Sequence, residues 1–269
     1  MPASEAVDPA RTAAHLAACV REAGALALSM FGKPIETWTK GETSPVCAAD
    51  IAVDSLLREK LAGDGNGFAW LSEETADDPA RLDARHVWIV DPIDGTRAYI
   101  AGLPDWSVCA ALAEDGRPIA ACLYAPVGEE LFVAAAGRGA TRNGAAIATM
   151  PGASLAQAKI AGPKGFLDRL APFAPPFTVM PRLPSLALRL ARVAQGAFDV
   201  AIAGGNSHDW DLAAADLLVH EAGGAMTNFA GERVIYNRAV PRHGALLAAG
   251  RERHAGLIEL LRERRIASL

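Results

Sequence analysis

No uninterrupted apolar run in the 269 residues approaches the roughly 18–20 needed to cross a bilayer. A basic segment followed by an apolar one is also missing near the N-terminus, where Glu5 and Asp8 stand within Met1–Pro9. Neither a membrane span nor a secretory leader is expected, and a soluble cytoplasmic chain with no membrane partner is. No block of lysine and arginine offsets the formal net charge of −5, which argues against a nucleic-acid polymer as partner. The four cysteines (Cys19, Cys47, Cys109 and Cys122) form no Cys-x-x-Cys pair. Their wide spacing argues against a zinc site or a disulfide framework and for reduced, mostly buried thiols. A fixed-period repeat and a low-complexity tail are likewise absent.

What is present is a globular composition, 51% hydrophobic and 21% charged, enough to bury a substantial core. The length allows one large domain or two interlocked ones. Asp8-Pro9 starts a helix whose apolar face is Leu16, Val20, Ala23, Ala27 and Met30, ended by Gly32-Lys33-Pro34. After a turn through Gly41-Glu42-Thr43-Ser44-Pro45, a second helix carries Val53, Leu56, Leu57 and Leu61 and stops in Gly63-Asp64-Gly65-Asn66-Gly67. Strand-like runs follow at Phe68–Leu71, Val87–Val90, Ser107–Leu112, Ile119–Tyr124 and Leu131–Ala135, with an Asn143-Gly144 hairpin signal, so this half reads as α+β with an antiparallel sheet. Beyond Met150 the texture changes. A loop-rich passage carries Pro172, Pro175, Pro176, Pro181 and Pro184, and then helices at Ser185–Gln195, Asp211–Glu221 and His254–Arg265 alternate with strands near Phe198–Ile202 and Ala245–Ala249. The expected division is an N-terminal lobe of residues 1–150 and a C-terminal α/β lobe of 151–269.

The chemistry concentrates at Asp91-Pro92-Ile93-Asp94-Gly95-Thr96, directly after the apolar run Trp88-Ile89-Val90. Two carboxylates three residues apart on a tight turn can converge on one spot, where their repulsion raises a pKa unless a cation neutralises it. Hard oxygen donors of this kind suit Mg²⁺. Gly95 and Thr96 would open a helix whose amides favour a phosphate. Alone, the hexapeptide reads equally well as an Asp-Pro turn followed by an Asp-Gly turn. Glu73-Glu74 closes another strand-like run, and Asp50 and Asp211 each sit at a helix start, where an N-cap role is the simplest reading.

Taken in order, Glu73-Glu74, the Asp91–Thr96 hexapeptide, and Trp210-Asp211 with Glu221-Ala222-Gly223-Gly224 resemble the inositol monophosphatase superfamily over nearly the whole chain. Ser44-Pro45-Val46 with Asp50, near Lys40, extends the likeness. The resemblance implies a layered α/β/α/β/α sandwich and a lithium-sensitive phosphomonoesterase. It implies two or three Mg²⁺ ions held by Glu73, Asp91, the Ile93 carbonyl, Asp94 and Asp211. Thr96 paired with Asp50, with Glu73 assisting, would activate the attacking water. Gly95, Thr96, Ser185, His208 and Asp211 would meet the substrate, a small soluble phosphate ester. Relatives are often homodimers.

The sequence departs from the family pattern in three places. Cys47 stands where Thr is frequent, and a thiol is the weaker hydrogen-bond partner for Asp50. Gly204 takes the place of a carboxylate, seven residues before Asp211, that inositol-specific members use to hold the ring. Pro184 replaces the Gly of a Gly-Ser turn. Polyol monophosphates, 3′-phosphoadenosine 5′-phosphate and histidinol phosphate all remain open as substrates. A sugar bisphosphate is disfavoured, since no basic cluster stands out, although Lys164, Arg182 and Arg189 are possible contacts. From another class, a metal-dependent binding or regulatory protein without turnover is the alternative.

Overall fold

A computed structural model describes residues 7–41, 44–63, 67–264 and 266. The expected turn residues Glu42-Thr43 and Asp64–Asn66, and the helix end at Arg265, lie outside the described residues. Helix α1 (Pro9–Met30) begins where the Asp8 carboxylate accepts the Ala10 N–H, with Pro9 at the first helical position. A hairpin of β1 (Thr37–Lys40) and β2 (Ser44–Cys47) leads into α2 (Ala48–Ala62). These two helices cover one face of a seven-stranded sheet. In spatial order its strands are β3 (Ala69–Ser72), β4 (His86–Asp94), β5 (Ser107–Glu114), β6 (Arg117–Ala125), β7 (Glu130–Ala135), β8 (Ala140–Arg142) and β9 (Ala145–Ala146). The short helix α3 (Thr96–Ile100) links β4 to β5.

The sheet is antiparallel apart from one pair. Strands β3 and β4 run parallel, Leu71 opposite Ile89, which corrects the expectation of an antiparallel sheet at this edge. Alternation of side chains reports burial but carries no information about the direction of a neighbour. The Asn143-Gly144 turn joins β8 to β9 as expected, both residues at positive φ (50° and 80°) as a tight hairpin turn requires.

The second half builds a five-stranded sheet in the order β11 (Thr178–Val179), β10 (Lys159–Ala161), β12 (Val200–Ala203), β16 (Leu246–Gly250) and β14 (Gly224–Asn228). Its elements in chain order are β10 (Lys159–Ala161), α4 (Lys164–Leu170), β11 (Thr178–Val179), α5 (Leu186–Ala194), β12 (Val200–Ala203), β13 (Ser207–His208), α6 (Asp209–Glu221), β14 (Gly224–Asn228), β15 (Arg242–His243), β16 (Leu246–Gly250) and α7 (Arg251–Glu263). Helices α5 and α6 lie between the two sheets, and α4 and α7 close the outer face of the second. The result is the α/β/α/β/α sandwich. Strand β4 shows why its sequence is continuously apolar. Trp88 and Val90 pack toward α1 and α2, while Val87 and Ile89 pack toward α5 and α6, so both faces are dry. Each such burial contributes about 1.5–3 kcal/mol. Alanine dominates the matching face of β5 and β6 (Ala111, Ala113 and Ala121), leaving room for α5 and α6 to approach.

Candidate metal and phosphate site

In an unbroken strand, Asp91 and Asp94 would point to opposite faces, because side chains alternate. The ladder between β4 and β5 slips between Asp91 and Asp94, where Pro92 occupies the irregularity. A bulge of this kind accommodates proline and re-aims the side chains beyond it. Both carboxylates thereby turn toward the same spot, and Asp211 from α6 joins them. Asp91, Asp94 and Asp211 each offer an oxygen within 4.8 Å of the others. Gly95 makes the exit from the strand at φ 100°, and a Cβ there would sit 3.1 Å from the Asp105 carbonyl and 3.3 Å from the Ser185 nitrogen. Only glycine suits that backbone and that approach.

Asp50 and Asp211 are not N-caps. Each is the third residue of its helix, with Cys47 capping α2 and His208 capping α6. The Asp50 carboxylate accepts the Cys47 N–H at 2.8 Å and its thiol at 2.9 Å, and the Thr96 hydroxyl at 3.1 Å. Thr96 Oγ1 also lies 3.0 Å from the Ile93 carbonyl oxygen. Asp94 accepts the Ala187 N–H at 2.6 Å and the Leu186 N–H at 3.2 Å from the start of α5. One oxygen of Asp91 is buried with no hydrogen-bond partner at all.

A cavity of about 590 Å³ opens onto this cluster, lined by Glu73, Asp91, Ile93, Asp94, Thr96 and Asp211 together with Gly95, Arg97 and Arg182. Burial raises the pKa of every carboxylate on this wall; repulsion adds to it at Glu73, Asp91 and Asp211, while hydrogen bonds and Arg189 oppose it at Asp94. Glu73 is pushed up to about 8 by burial and then by Asp211, and Asp211 to about 7 by burial and then by Asp94. Asp91 is raised well above the carboxylate range by burial, then by Glu73 and Asp94. Lys40 relieves Glu73 only in part, lowering its pKa against the larger upward push of burial and of Asp211. Its ammonium donates to the Glu73 carbonyl and lies 3.6 Å from Glu74. An all-oxygen donor set with an orphaned buried carboxylate oxygen fits a hard divalent cation such as Mg²⁺.

Thr96, Gly95, Glu73 and the ligand carboxylates thus share one cavity wall, with Asp50 bonded to Thr96 just behind it. Ser185 and His208 are placed differently from expectation. Ser185 is fully buried, its hydroxyl donating to Asp94 while accepting the Leu188 N–H as the cap of α5, so it supports Asp94 instead of facing substrate. The His208 ring stacks on Trp210 with centroids 4.6 Å apart, and the His208 backbone N–H donates to Asp211 at 2.6 Å. It orients a carboxylate and does not line the cavity.

Asp54 and Arg97 carry roles that the sequence alone did not suggest. Asp54, one turn beyond Asp50 on α2, accepts the hydroxyls of Ser72 and Thr75 and so anchors the loop that carries Glu73. The i, i+4 spacing of Asp50 and Asp54 was the available signal. Arg97 joins Arg182 and Arg189, two of the possible contacts named above, on one side of the cluster, which corrects the expectation that no basic cluster stands out.

The model for the inositol monophosphatase family matches residues 8–265. The chain is 36% identical to a histidinol-phosphatase of Mycobacterium tuberculosis over 205 residues, 72% of this chain and 77% of that one. It is 32% identical to an inositol-1-monophosphatase of Caulobacter vibrioides over 234 residues, 83% and 89% of the two chains. Among solved structures, the extragenic suppressor protein suhB of Bartonella henselae superposes with a TM-score of 0.82 at 27% identity, covering 94% of this chain and 99% of that one. Relatives named as phosphatases on a shared fold, and an acidic cluster suited to a metal ion, support a phosphatase whose substrate these likenesses leave undetermined. The chain belongs to the inositol monophosphatase family.

Proposed function

We propose that the protein is a Mg²⁺-dependent phosphomonoesterase acting on a small soluble ester, of the polyol phosphate or 3′-phosphoadenosine 5′-phosphate kind. The observation that carries this reading is the convergence of Asp91, Asp94 and Asp211 on one point beside a Thr96–Asp50 pair. Glu73, Asp91, Asp94, Asp211 and the Ile93 carbonyl would hold the metal. When bound, Mg²⁺ neutralises charge on the phosphoryl group and the leaving oxygen and makes water a better nucleophile.

The chain's own residues do the rest. Asp50 is buried, and burial raises its pKa against the pull of its hydrogen bonds from Cys47 and Thr96. A carboxylate of that kind accepts the Thr96 hydroxyl hydrogen, leaving a Thr96 lone pair to orient the attacking water and receive its proton. The amides of Gly95 and Thr96, at the start of α3 on the cavity wall, would meet the phosphate oxygens. Residues 1–150 supply the strand-end ligands and the Thr96–Asp50 pair, and residues 151–269 supply Asp211 and the wall that meets the leaving group.

The test is phosphate release from inositol 1-phosphate, 3′-phosphoadenosine 5′-phosphate, histidinol phosphate and fructose 1,6-bisphosphate, with Mg²⁺ and with chelator. Release from at least one ester, abolished by chelator and inhibited by tens of millimolar Li⁺, is expected. Asp94→Asn removes a ligand worth several kcal/mol in the transition state, a loss of about 10³-fold in turnover, with the fold retained by circular dichroism. Silence across the panel would favour a metal-dependent binding protein instead.

A further inference from the structure

A second cavity, of about 490 Å³, continues from Asp94 and Asp211 away from Glu73. Its charged lining is lopsided. Among the described residues, Asp94 and Asp211 are the only carboxylates on it, whereas Arg97, Arg182 and Arg189 come from three separate parts of the chain. Gly204 and Gly205 form the facing wall and bring no side chain.

Arg189, on α5, is only 7% exposed. Its guanidinium donates to the carbonyls of Leu183 at 3.1 Å and Ile202 at 3.4 Å, and its Nε–H is buried without a partner. A buried guanidinium held by neutral carbonyls is costly unless a counter-charge lies near it. Burial lowers the Arg189 pKa, and the like charge of Arg182 adds to that while Asp94 opposes it. Arg182 is exposed on the rim, where both cavities meet. A cation held by Asp94 would draw on the carboxylate that faces Arg189, so Arg182 and Arg189 would gain from an anion placed in this cavity.

We propose that this cavity takes an anion on the leaving-group side of the substrate, a carboxylate or a second phosphate, bound by Arg182 and Arg189. The identification of that side rests on the phosphatase reading above. Preferred substrates are then phosphomonoesters that carry their own anion, ahead of neutral polyol esters and of amine-bearing esters, whose ammonium faces the same arginines. Guanidinium groups recognise both anions through paired N–H donors.

Two matched pairs test the proposal and separate the two anions. One is 3-phosphoglycerate against glycerol 3-phosphate, and the other is 3′-phosphoadenosine 5′-phosphate against adenosine 3′-monophosphate, with histidinol phosphate as the cationic case. Steady-state phosphate release should show kcat/KM at least about tenfold higher for the anion-bearing member of one pair, and histidinol phosphate lowest. The responding pair tells carboxylate from phosphate. Arg182→Ala and Arg189→Gln should bring that ratio toward one. Because Arg182 is exposed, its variant reads the site even if the buried replacement fails to fold. Calorimetric titration of the same esters with Ca²⁺ replacing Mg²⁺ gives a readout independent of turnover. Equal binding within both pairs, or a preference that survives Arg182→Ala, overturns the anion site. Release without anion preference overturns that site alone. Binding that depends on the anion and on Arg182, with no release from any ester, overturns only the phosphatase reading.

Discussion

Helices α2 and α6 begin in the same way. In each, the third residue is an aspartate whose carboxylate accepts the N–H of the residue that precedes the helix, Cys47 in one and His208 in the other. From there they diverge. Asp50 is 2% exposed and accepts two further hydrogen bonds, from the Cys47 thiol and the Thr96 hydroxyl. Asp211 has its His208 N–H bond on one oxygen and stands within 4.8 Å of Asp91 and Asp94. A carboxylate held by several protein donors is fixed in position, and at Asp50 burial supplies the pull toward a proton against those bonds. One that stands beside other carboxylates is ready to bind a cation. The company of other carboxylates, and not the count of donors, separates the two, since Asp94 accepts three hydrogen bonds and still stands in the cluster.

The largest effects separate them directly. Asp211→Asn should lower phosphate release by about 10³-fold, the several kcal/mol of a lost metal contact. It should also remove most of the rise in melting temperature that Mg²⁺ gives the parent protein. Asp50→Asn should lower release by about 10²-fold or more, the range of general-base catalysis, and keep the Mg²⁺-dependent rise. Thermal unfolding with and without Mg²⁺ distinguishes the two, and loss of the rise in both variants would erase the distinction.

Next in size is a pH effect on the metal-free protein. Glu73, about 8 in the folded chain, and Asp211, about 7, return to the ordinary carboxylate range on unfolding. The folded state therefore binds more protons than the unfolded state between about pH 4.5 and 8. Stability is greatest below that window and is lost as the pH rises through it, by up to about 1.4 kcal/mol per pH unit for each group. Denaturant unfolding with chelator should show the chain more stable at pH 5.5 than at pH 8, and Mg²⁺ should flatten or reverse the trend. Asp91→Asn, which removes a buried charge with an orphaned oxygen, should raise metal-free stability at pH 8 while abolishing turnover. Asp50→Asn should do the opposite to stability, because its carboxylate is already satisfied.

Much of this architecture was legible in the chain. Trp88, Ile89 and Val90 announce a strand buried on both faces, Asp8-Pro9 marks the start of α1, and Asn143-Gly144 marks a hairpin turn. In each case the signal is local. Helix α4 was missed because Pro163 and Gly165 flank and interrupt its short apolar pattern. The parallel pairing of β3 with β4 depends on residues eighteen positions apart and leaves no periodic trace. At the site, Asp91 and Asp94 were visible as a pair, yet the slip in the ladder that turns both the same way is a property of β4 against β5. Asp54 has partners 18 and 21 residues distant, and the three arginines arrive from α3, the loop before α5, and α5 itself. A side chain whose role is defined by distant neighbours reads as an ordinary surface or helix residue until the chain is folded.

The smallest effect probes one of the donors that hold Asp50. The Cys47 thiol is buried, and its pKa is pushed up to about 12 by burial and then by the bond to Asp50, so it remains a protonated donor across the working pH range. Its hydrogen bond lowers the Asp50 pKa against the larger upward push of burial. Cys47→Ala deletes that donor and keeps the backbone N–H, so the Asp50 pKa should rise and the acid limb of the pH–rate profile should move to higher pH. Cys47→Thr replaces a weak donor by a stronger one and should move the limb the other way. Turnover at neutral pH should change by about tenfold, the low end of the range for residues that orient a reactive group without touching substrate. If both variants shift the limb in the same direction, volume at position 47 matters and the hydrogen bond does not. In that case Asp50 owes its readiness to burial and to Thr96 alone.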